Sequence, residues 1–320
     1  MSKGFWENLP KPFFVLAPMA DVTDLPFRSI IAKCGKPDVF YTEFVSAHGL
    51  ASYGRERLMR DLAISKYDHP IVAQFFGTNP EYLFSAGKLA HELGFDGVDI
   101  NMGCPDKSIV KQGAGIALAK NPKLAQELII ALKDGAKGLP VAVKTRLGIS
   151  NPQEWDEWIP AILESRPDVL IIHGRTMKEM SKVPAHWDII AKVAKIAHDS
   201  GILCVGNGDI LSREQGIGAS KLYGVDGIMI ARGALQNPWI FSHDIEREHL
   251  PSERLNLLLE HIDLWIKQWD KIKSPNLMKK FFKIYCSGFS GSAILRARLM
   301  ECESFSDIVL ICKQILKKSI

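Results

Sequence analysis

Short apolar runs rich in β-formers alternate with longer amphipathic stretches from the N-terminus to about residue 230. The runs are Phe13–Ala17, Val39–Thr42, Ile71–Phe75, Gly97–Ile100, Val141–Lys144, Val169–Ile172, Ile202–Val205 and Gly227–Ile230. Runs this short, without strict polar alternation, suit strands buried on both faces of a parallel sheet. Between them the spacing predicts helices over Pro80–Leu93, Pro122–Lys133 and Trp187–His198. Asn79-Pro80 and Asn121-Pro122 mark two helix starts, with Asn as N-cap and Pro in the first turn. Eight strands separated by crossovers predict an α/β fold, a (β/α)8 TIM barrel. A doubly wound sheet is disfavoured, because no G-x-G-x-x-G follows the first strand and no Walker-type loop is present.

After about residue 245 the strand signals stop. Helical patterns follow over Leu255–Trp269, Leu277–Tyr285, Ser292–Glu301 and Ser304–Leu316. The expected organisation is a barrel over residues 1–245 and a small C-terminal helical domain over 246–320.

Charge sharpens this division. Residues 251–320 hold 12 Lys/Arg against 7 Asp/Glu, whereas residues 1–250 hold 28 against 29, balances of +5 and −1. From Lys271 to Met300 there are seven basic residues and no acid. A solvated helix face explains such a run, and so does a phosphate-backbone contact surface. Lys279, Lys280 and Lys283 are the candidate contacts; Phe281, Phe282 and Tyr285, interleaved at helical spacing, read as core, with RNA contact as the alternative. The six cysteines form no CxxC pair and no zinc spacing, so reduced thiols, no metal site and a cytoplasmic location are expected. No signal-type h-region or membrane-length apolar run is present, so no membrane association is expected.

The ends of the predicted strands carry the chemistry. They supply Pro18-Met19-Ala20, Glu43, Gln74, Asn101 with Cys104, Lys144 with Arg146, His173 with Arg175, Gly206–Asp209 and Ala231–Gly233. In a barrel these positions converge on one mouth, where barrel enzymes place their active sites. Gly206, Gly208 and Gly233 with Arg232 suit a phosphate on the loops after strands 7 and 8. Lys144 and His173 can donate to a ring system or to phosphate; a lone buried His is also compatible with a purely structural role. Pro105 restricts Cys104 to extended backbone; a nucleophilic Cys requires a nearby base, and no His neighbours Cys104 in sequence, although His173 could approach it in space.

Several strings resemble the tRNA-dihydrouridine synthases. They are Leu16–Arg28 (LAPMADVTDLPFR), Asp99–Pro105 (DINMGCP), Val143–Gly148, Ile172–Thr176, Gly206–Asp209 and Gly227–Gly233, joined in the tail by Met278–Tyr285 and Gly291–Met300. The resemblance implies an FMN-bearing barrel that reduces the C5=C6 bond of a uridine in tRNA, with NADPH as transient reductant. It implies FMN contacts from Pro18, Met19, Ala20, Gln74, Lys144, His173, Asn207, Gly208, Asp209, Ala231 and Arg232. It implies Cys104 as proton donor, and Asn101 and Arg146 lining the base pocket. The expected partner is RNA rather than DNA, bound by a monomer. The chain departs from the family pattern at Asp21 and Ala231, where Gly is usual, and at Phe281 and Ile284, where His and Trp are expected. The same chemistry on ribosomal RNA, a reductase of a free pyrimidine, and a non-catalytic RNA-binding protein remain as alternatives.

Overall fold

The computed structural model describes residues 3–244, 247–270 and 272–318. All eight expected strands are present: β1 (Phe13–Leu16), β2 (Phe40–Ser46), β3 (Ile71–Phe76), β4 (Gly97–Met102), β5 (Val141–Arg146), β6 (Val169–His173), β7 (Leu203–Asn207) and β8 (Gly227–Ile230). Every pairing is parallel, in the order β1-β8-β7-β6-β5-β4-β3-β2. The remaining seam closes through a Val15–Val39 bridge, with Leu16 N donating to Val39 O at 3.0 Å and Asp38 N to Phe14 O at 2.9 Å. The sheet is therefore a barrel and not a doubly wound layer.

Period-two alternation divides each strand between two cores. Phe13, Val15, Val72, Ile171 and Val205 fill the lumen, while Phe14, Leu16, Ala73, Ile172 and Ile228 pack outward under the helices. Trp6, stacked on Phe5 and against Phe13, fills the lumen at the N-terminal end of the strands. Several strands run on past their apolar stretch. β2, for example, ends at Ser46 where the pattern stops at Thr42, because ladder bonds are backbone bonds and do not require an apolar side chain.

The helices Pro80–Glu92, Pro122–Gly135 and Trp187–Asp199 follow the expected spans. Asn79 and Asn121 cap the first two through their side chains, each cap worth about 1 kcal/mol. In the tail, Pro251–Trp269, Ser292–Glu301 and Phe305–Lys318 are helices. Leu277–Tyr285 is not one helix: a 3₁₀ segment, Pro275–Phe281, leads into the short helix Phe282–Tyr285. The tighter period aligns Met278 with Phe281 on the buried side, and Phe282 and Tyr285 are buried too, so these aromatics are core. The expected boundary at 245/246 lies outside the described residues, as does Lys271.

The tail docks on the barrel beside the helix Leu25–Gly35. Phe281 stacks on Phe27 at 5.3 Å, and Trp269 Nε1 donates to the buried Asp24 Oδ2 at 2.7 Å. Asp24 also caps Leu25–Gly35, so one carboxylate serves both the barrel helix and the tail.

Candidate active site

The alternation that fills the lumen with Val72, Ala142, Ile171 and Val205 carries on to the C-terminal strand ends. It turns Gln74, Asp99, Asn101, Lys144, Arg146, His173 and Asn207 inward. Register sets them side by side: Gln74 opposite Asp99, Asn101 opposite Lys144, Arg146 opposite His173, and His173 opposite Asn207. The expected site residues of the barrel thus share one mouth.

Cys104 is held by its backbone. Asn101 Oδ1 accepts from Cys104 N at 2.9 Å and from Gly103 N at 3.1 Å, an Asx-type turn at the end of β4. Arg146 closes the turn from β5, its Nε donating to Gly103 O at 2.9 Å. A Cβ on Gly103 would lie 3.1 Å from the Thr145 backbone, and one on Gly115 would lie 2.6 Å from Cys104 O, so both positions are shaped around this turn. Burial pushes the half-buried Cys104 thiol up, and the Asp106 backbone N–H, Arg146 and Lys144 only partly offset it. No histidine enters that balance. His173 lies instead with Arg175, whose Nη1 is 3.3 Å from its Nε2.

Gln74 has a role that the sequence does not show. It is fully buried, donating through Nε2 to Asp99 Oδ1 at 2.7 Å and accepting at Oε1 from Asn101 Nδ2 at 3.0 Å. Half of its side-chain hydrogen-bonding capacity, one N–H and one acceptor site, is spent inside the protein. Asp99, buried beneath it and in the sequence only part of a strand, has its carboxyl pushed well up by burial.

Lys144, Arg146, Arg175 and Arg232 make the rest of the mouth electropositive around His173. Lys144 Nζ makes no hydrogen bond or ion pair among the described residues. Burial and the neighbouring Arg146 bring it down to about 8, against the pull of Asp99 and Cys104. Burial and then the surrounding cations Arg146, Lys144, Arg175 and Arg232 hold His173 well below its ordinary value, so it is neutral.

Beside them, the loops after β7 and β8 line an open cavity of about 230 Å³ that includes Asn207, Gly208, Asp209, Ala231, Arg232 and Gly233. Gly208 has φ +139°, and a Cβ there would meet Ala185 Cβ at 2.6 Å; on Gly233 it would meet Ile210 O at 2.8 Å. The N–H groups of Gly208, Asp209, Arg232 and Gly233 donate to no group among the described residues. The Asp209 carboxylate is turned away from them, taken up by Arg175 Nη2, by Ala185 N at 2.8 Å and by Arg232 Nη2 at 3.0 Å. Free amides, a paired cation and a glycine cradle fit the phosphate end of a flavin mononucleotide, and the unpartnered Lys144 fits its ring edge. Ala231 is accommodated, because the cradle is made of backbone.

The loop Pro18–Asp21 completes the mouth. Asp21 adopts φ +54°, a conformation that Gly takes without strain. This chain braces it instead. Asp21 N donates to Glu43 Oε1, and Lys280 Nζ donates to Asp21 O at 2.9 Å. Glu43 sits in a bulge of β2 between Tyr41 and Phe44. Lys273 Nζ lies 3.4 Å from Asp21, 3.7 Å from Glu43 and 3.6 Å from Asp61. The three tail lysines therefore separate: Lys280 is tied to the barrel mouth, while the side chains of Lys279 and Lys283 make no hydrogen bond or ion pair among the described residues. In the sequence Lys273 is only one charge in a basic run. Among the described residues no group of three or more His, Cys, Asp or Glu is arranged to hold a metal ion, and no helix is long and apolar enough to cross a membrane.

Comparison with known proteins bears on the fold and on the family. A solved structure of histamine dehydrogenase from Rhizobium sp. 4-9 superposes with a TM-score of 0.55 at 13% identity, over 78% of this chain and 48% of that one. The chain thus spans under half of that protein, and the likeness is one of fold. A probable tRNA-dihydrouridine synthase of Staphylococcus aureus (strain Mu50 / ATCC 700699) is 40% identical over 311 residues, covering 96% of this chain and 94% of the relative. Probable tRNA-dihydrouridine synthase 2 of Bacillus subtilis (strain 168) is 42% identical over 314 residues, covering 96% and 95%. The dihydrouridine synthase family model matches residues 15–320, from the second half of β1 through the tail. The chain belongs to the dihydrouridine synthase family.

Proposed function

We propose that this chain reduces the C5=C6 bond of uridines in tRNA to dihydrouridine, with FMN as its resident cofactor and NADPH as the reductant. The observation that carries the reading is the Cys104 turn, held by Asn101 and Arg146, at the same barrel mouth as Lys144, Arg175 and Arg232. The names of the two relatives supply the substrate class.

When bound, FMN supplies the hydride that C6 of the base receives. The residues of the chain do the rest. Gly208, Asp209, Arg232 and Gly233 hold the phosphate through backbone N–H groups, and Arg232 adds charge at the rim. Lys144 donates to the ring edge, and Pro18, Met19 and Ala20 with neutral His173 and Asn207 wall the site. Hydride addition at C6 leaves an enolate conjugated to the C4 carbonyl, which needs a proton at C5. Cys104 supplies that proton: burial keeps it a thiol at neutral pH, and no base is placed to remove it. Arg146 spends Nε on Gly103 O and Nη1 on Thr176 O, which leaves Nη2 for a uracil carbonyl. A base must leave its stack to enter such a mouth, which suits unpaired or loop nucleotides.

The test is Cys104→Ala. It retains FMN and is reduced by NADPH at the normal rate, while dihydrouridine formation in unmodified tRNA falls by about 10²–10⁴-fold, the usual worth of a positioned general acid. Normal product formation by the variant removes Cys104 from the mechanism. Turnover of free uracil without RNA makes the chain a pyrimidine reductase instead.

A further inference from the structure

We infer that Asp99 is a positioning residue for Cys104, acting through Gln74 and Asn101 along a hydrogen-bond chain that has only one possible polarity. The inference rests on the reading of Cys104 as proton donor.

The polarity follows from the backbone. The N–H groups of Gly103 and Cys104 are donors only, so Asn101 faces them with Oδ1. Its Nδ2 then points to Gln74, which answers with Oε1. The Nε2 of Gln74 is left facing Asp99, 2.7 Å away, and position 99 must accept. Three side chains from two adjacent strands thus transmit one demand from the Cys104 turn to a fully buried carboxyl. The chain ends there. Among the described residues the second oxygen, Oδ2, has only Tyr41 OH at 3.5 Å as a hydrogen-bond partner; the lumen residues Val72, Ala142 and Ile171 are apolar, and the charged group facing Asp99 is Lys144 of β5, which makes no ion pair with it. Asp99 has no exposure to the mouth, so contact with substrate does not explain a carboxyl that is costly to bury. Terminating the chain does. Without an acceptor at position 99, Gln74 is free to turn its amide over, Asn101 loses its partner, and the turn holding Cys104 loosens.

Isosteric exchanges separate this role from simple packing. Asp99→Asn keeps an oxygen for Gln74. Gln74→Glu sets a carboxylate against a carboxyl. The double variant Asp99→Asn/Gln74→Glu restores a donor and an acceptor with the polarity of that one link reversed, leaving the bond from Asn101 intact. The readout is single-turnover dihydrouridine formation by pre-reduced, flavin-saturated enzyme on unmodified tRNA, alongside the rate of flavin reduction by NADPH.

Asp99→Asn is expected within about threefold of wild type. Gln74→Glu is expected to lose at least roughly tenfold in product formation, with half-saturation by tRNA little changed. The double variant is expected to recover most of that loss. A Gln74→Glu enzyme as fast as wild type, or a double variant no faster than Gln74→Glu, overturns the inference. Asp99→Leu adds a check on packing: if it folds and matches wild type, no acceptor is needed. Cys104→Ala, measured in parallel, reports separately on the proton-donor reading: full activity there defeats that reading whatever the Asp99 series shows.

Discussion

Lys144 and Cys104 share one barrel mouth, yet burial moves them in opposite directions. It lowers the ammonium to about 8 and raises the thiol above its ordinary range. In both cases the neutral form is favoured, but only Lys144 sits where the shift reaches working pH. Without flavin the ammonium has no partner, so it loses its charge as pH rises through about 8. Affinity of the apoprotein for FMN is therefore expected to fall between about pH 7 and 9.5. The fall is roughly tenfold or more, since losing a hydrogen bond to a charged group costs about 1.5–3 kcal/mol. Lys144→Arg keeps its charge throughout and flattens the profile. Fluorescence titration of FMN against both proteins measures this, and the same fall in the Arg variant would assign the transition to another group. At this scale the sequence is readable where the chemistry is local. Asn101, Gly103, Cys104 and Pro105 form one turn within five residues, so the motif contains its own geometry. Gln74 is different. Its partners lie 25 and 27 residues away, and nothing near it in sequence shows that its amide is spent on them.

Among the elements, the loops after β1 and β2 depend on the tail. Asp21, Asp24, Glu43 and Asp61 gather around Lys273, which also lies 3.9 Å from the centre of the Trp269 ring. One ammonium does not neutralise four carboxyls, and Glu43 is the most constrained. Burial, reinforced by Asp24 and Asp61 and opposed by Lys273, pushes it up to about 8. Its folded value lies above the ordinary 4.5, so the folded state holds its proton more tightly than the unfolded chain does. That contribution to stability is complete below pH 4.5 and is lost as pH rises through about 8. Glu43→Gln keeps an acceptor for Asp21 N–H and removes the titration. Relative to wild type, its melting temperature should decline less between about pH 5 and 8.5, by on the order of 2–4 °C, the worth of about 1 kcal/mol in a domain of this size. Parallel melting curves for the two proteins would mean that Glu43 does not titrate in this range. The strands themselves are legible in the sequence, because burial on both faces leaves a run of apolar residues. The split of Leu277–Tyr285 is not: buried positions three and four apart suit both an α-helix and a 3₁₀ segment, and tertiary packing against Phe27 and His261 accompanies the observed choice.

For the whole molecule, the charge division between barrel and tail acquires a finer structure. A basic stretch read from composition looks like one RNA-binding surface. The fold divides it into lysines that hold the protein together and lysines that do not. Lys273 and Lys280 reach across some 250 positions of sequence to the loop after β1, a pairing that no local pattern encodes. Lys279 and Lys283 have no such tie, so the two pairs should fail differently. Replacing Lys279 and Lys283 together by Ala should weaken binding of unmodified tRNA and lower the log–log salt slope by up to about 0.7–0.9 for each phosphate that is no longer neutralised. Flavin content and NADPH oxidation without RNA should stay as they are. Lys280→Ala removes the bond to Asp21 O and loosens the loop that carries Pro18, Met19 and Ala20. Its effect should appear first as faster FMN release on dilution, and in the salt slope by no more than a single phosphate's share. Binding isotherms over a salt series, with flavin occupancy measured on the same samples, separate the two classes. Unchanged affinity and slope in the Lys279/Lys283 variant would show that RNA is gripped elsewhere on the molecule. Flavin loss in that variant, with Lys280→Ala unaffected, would reverse the assignment of these lysines to grip and brace.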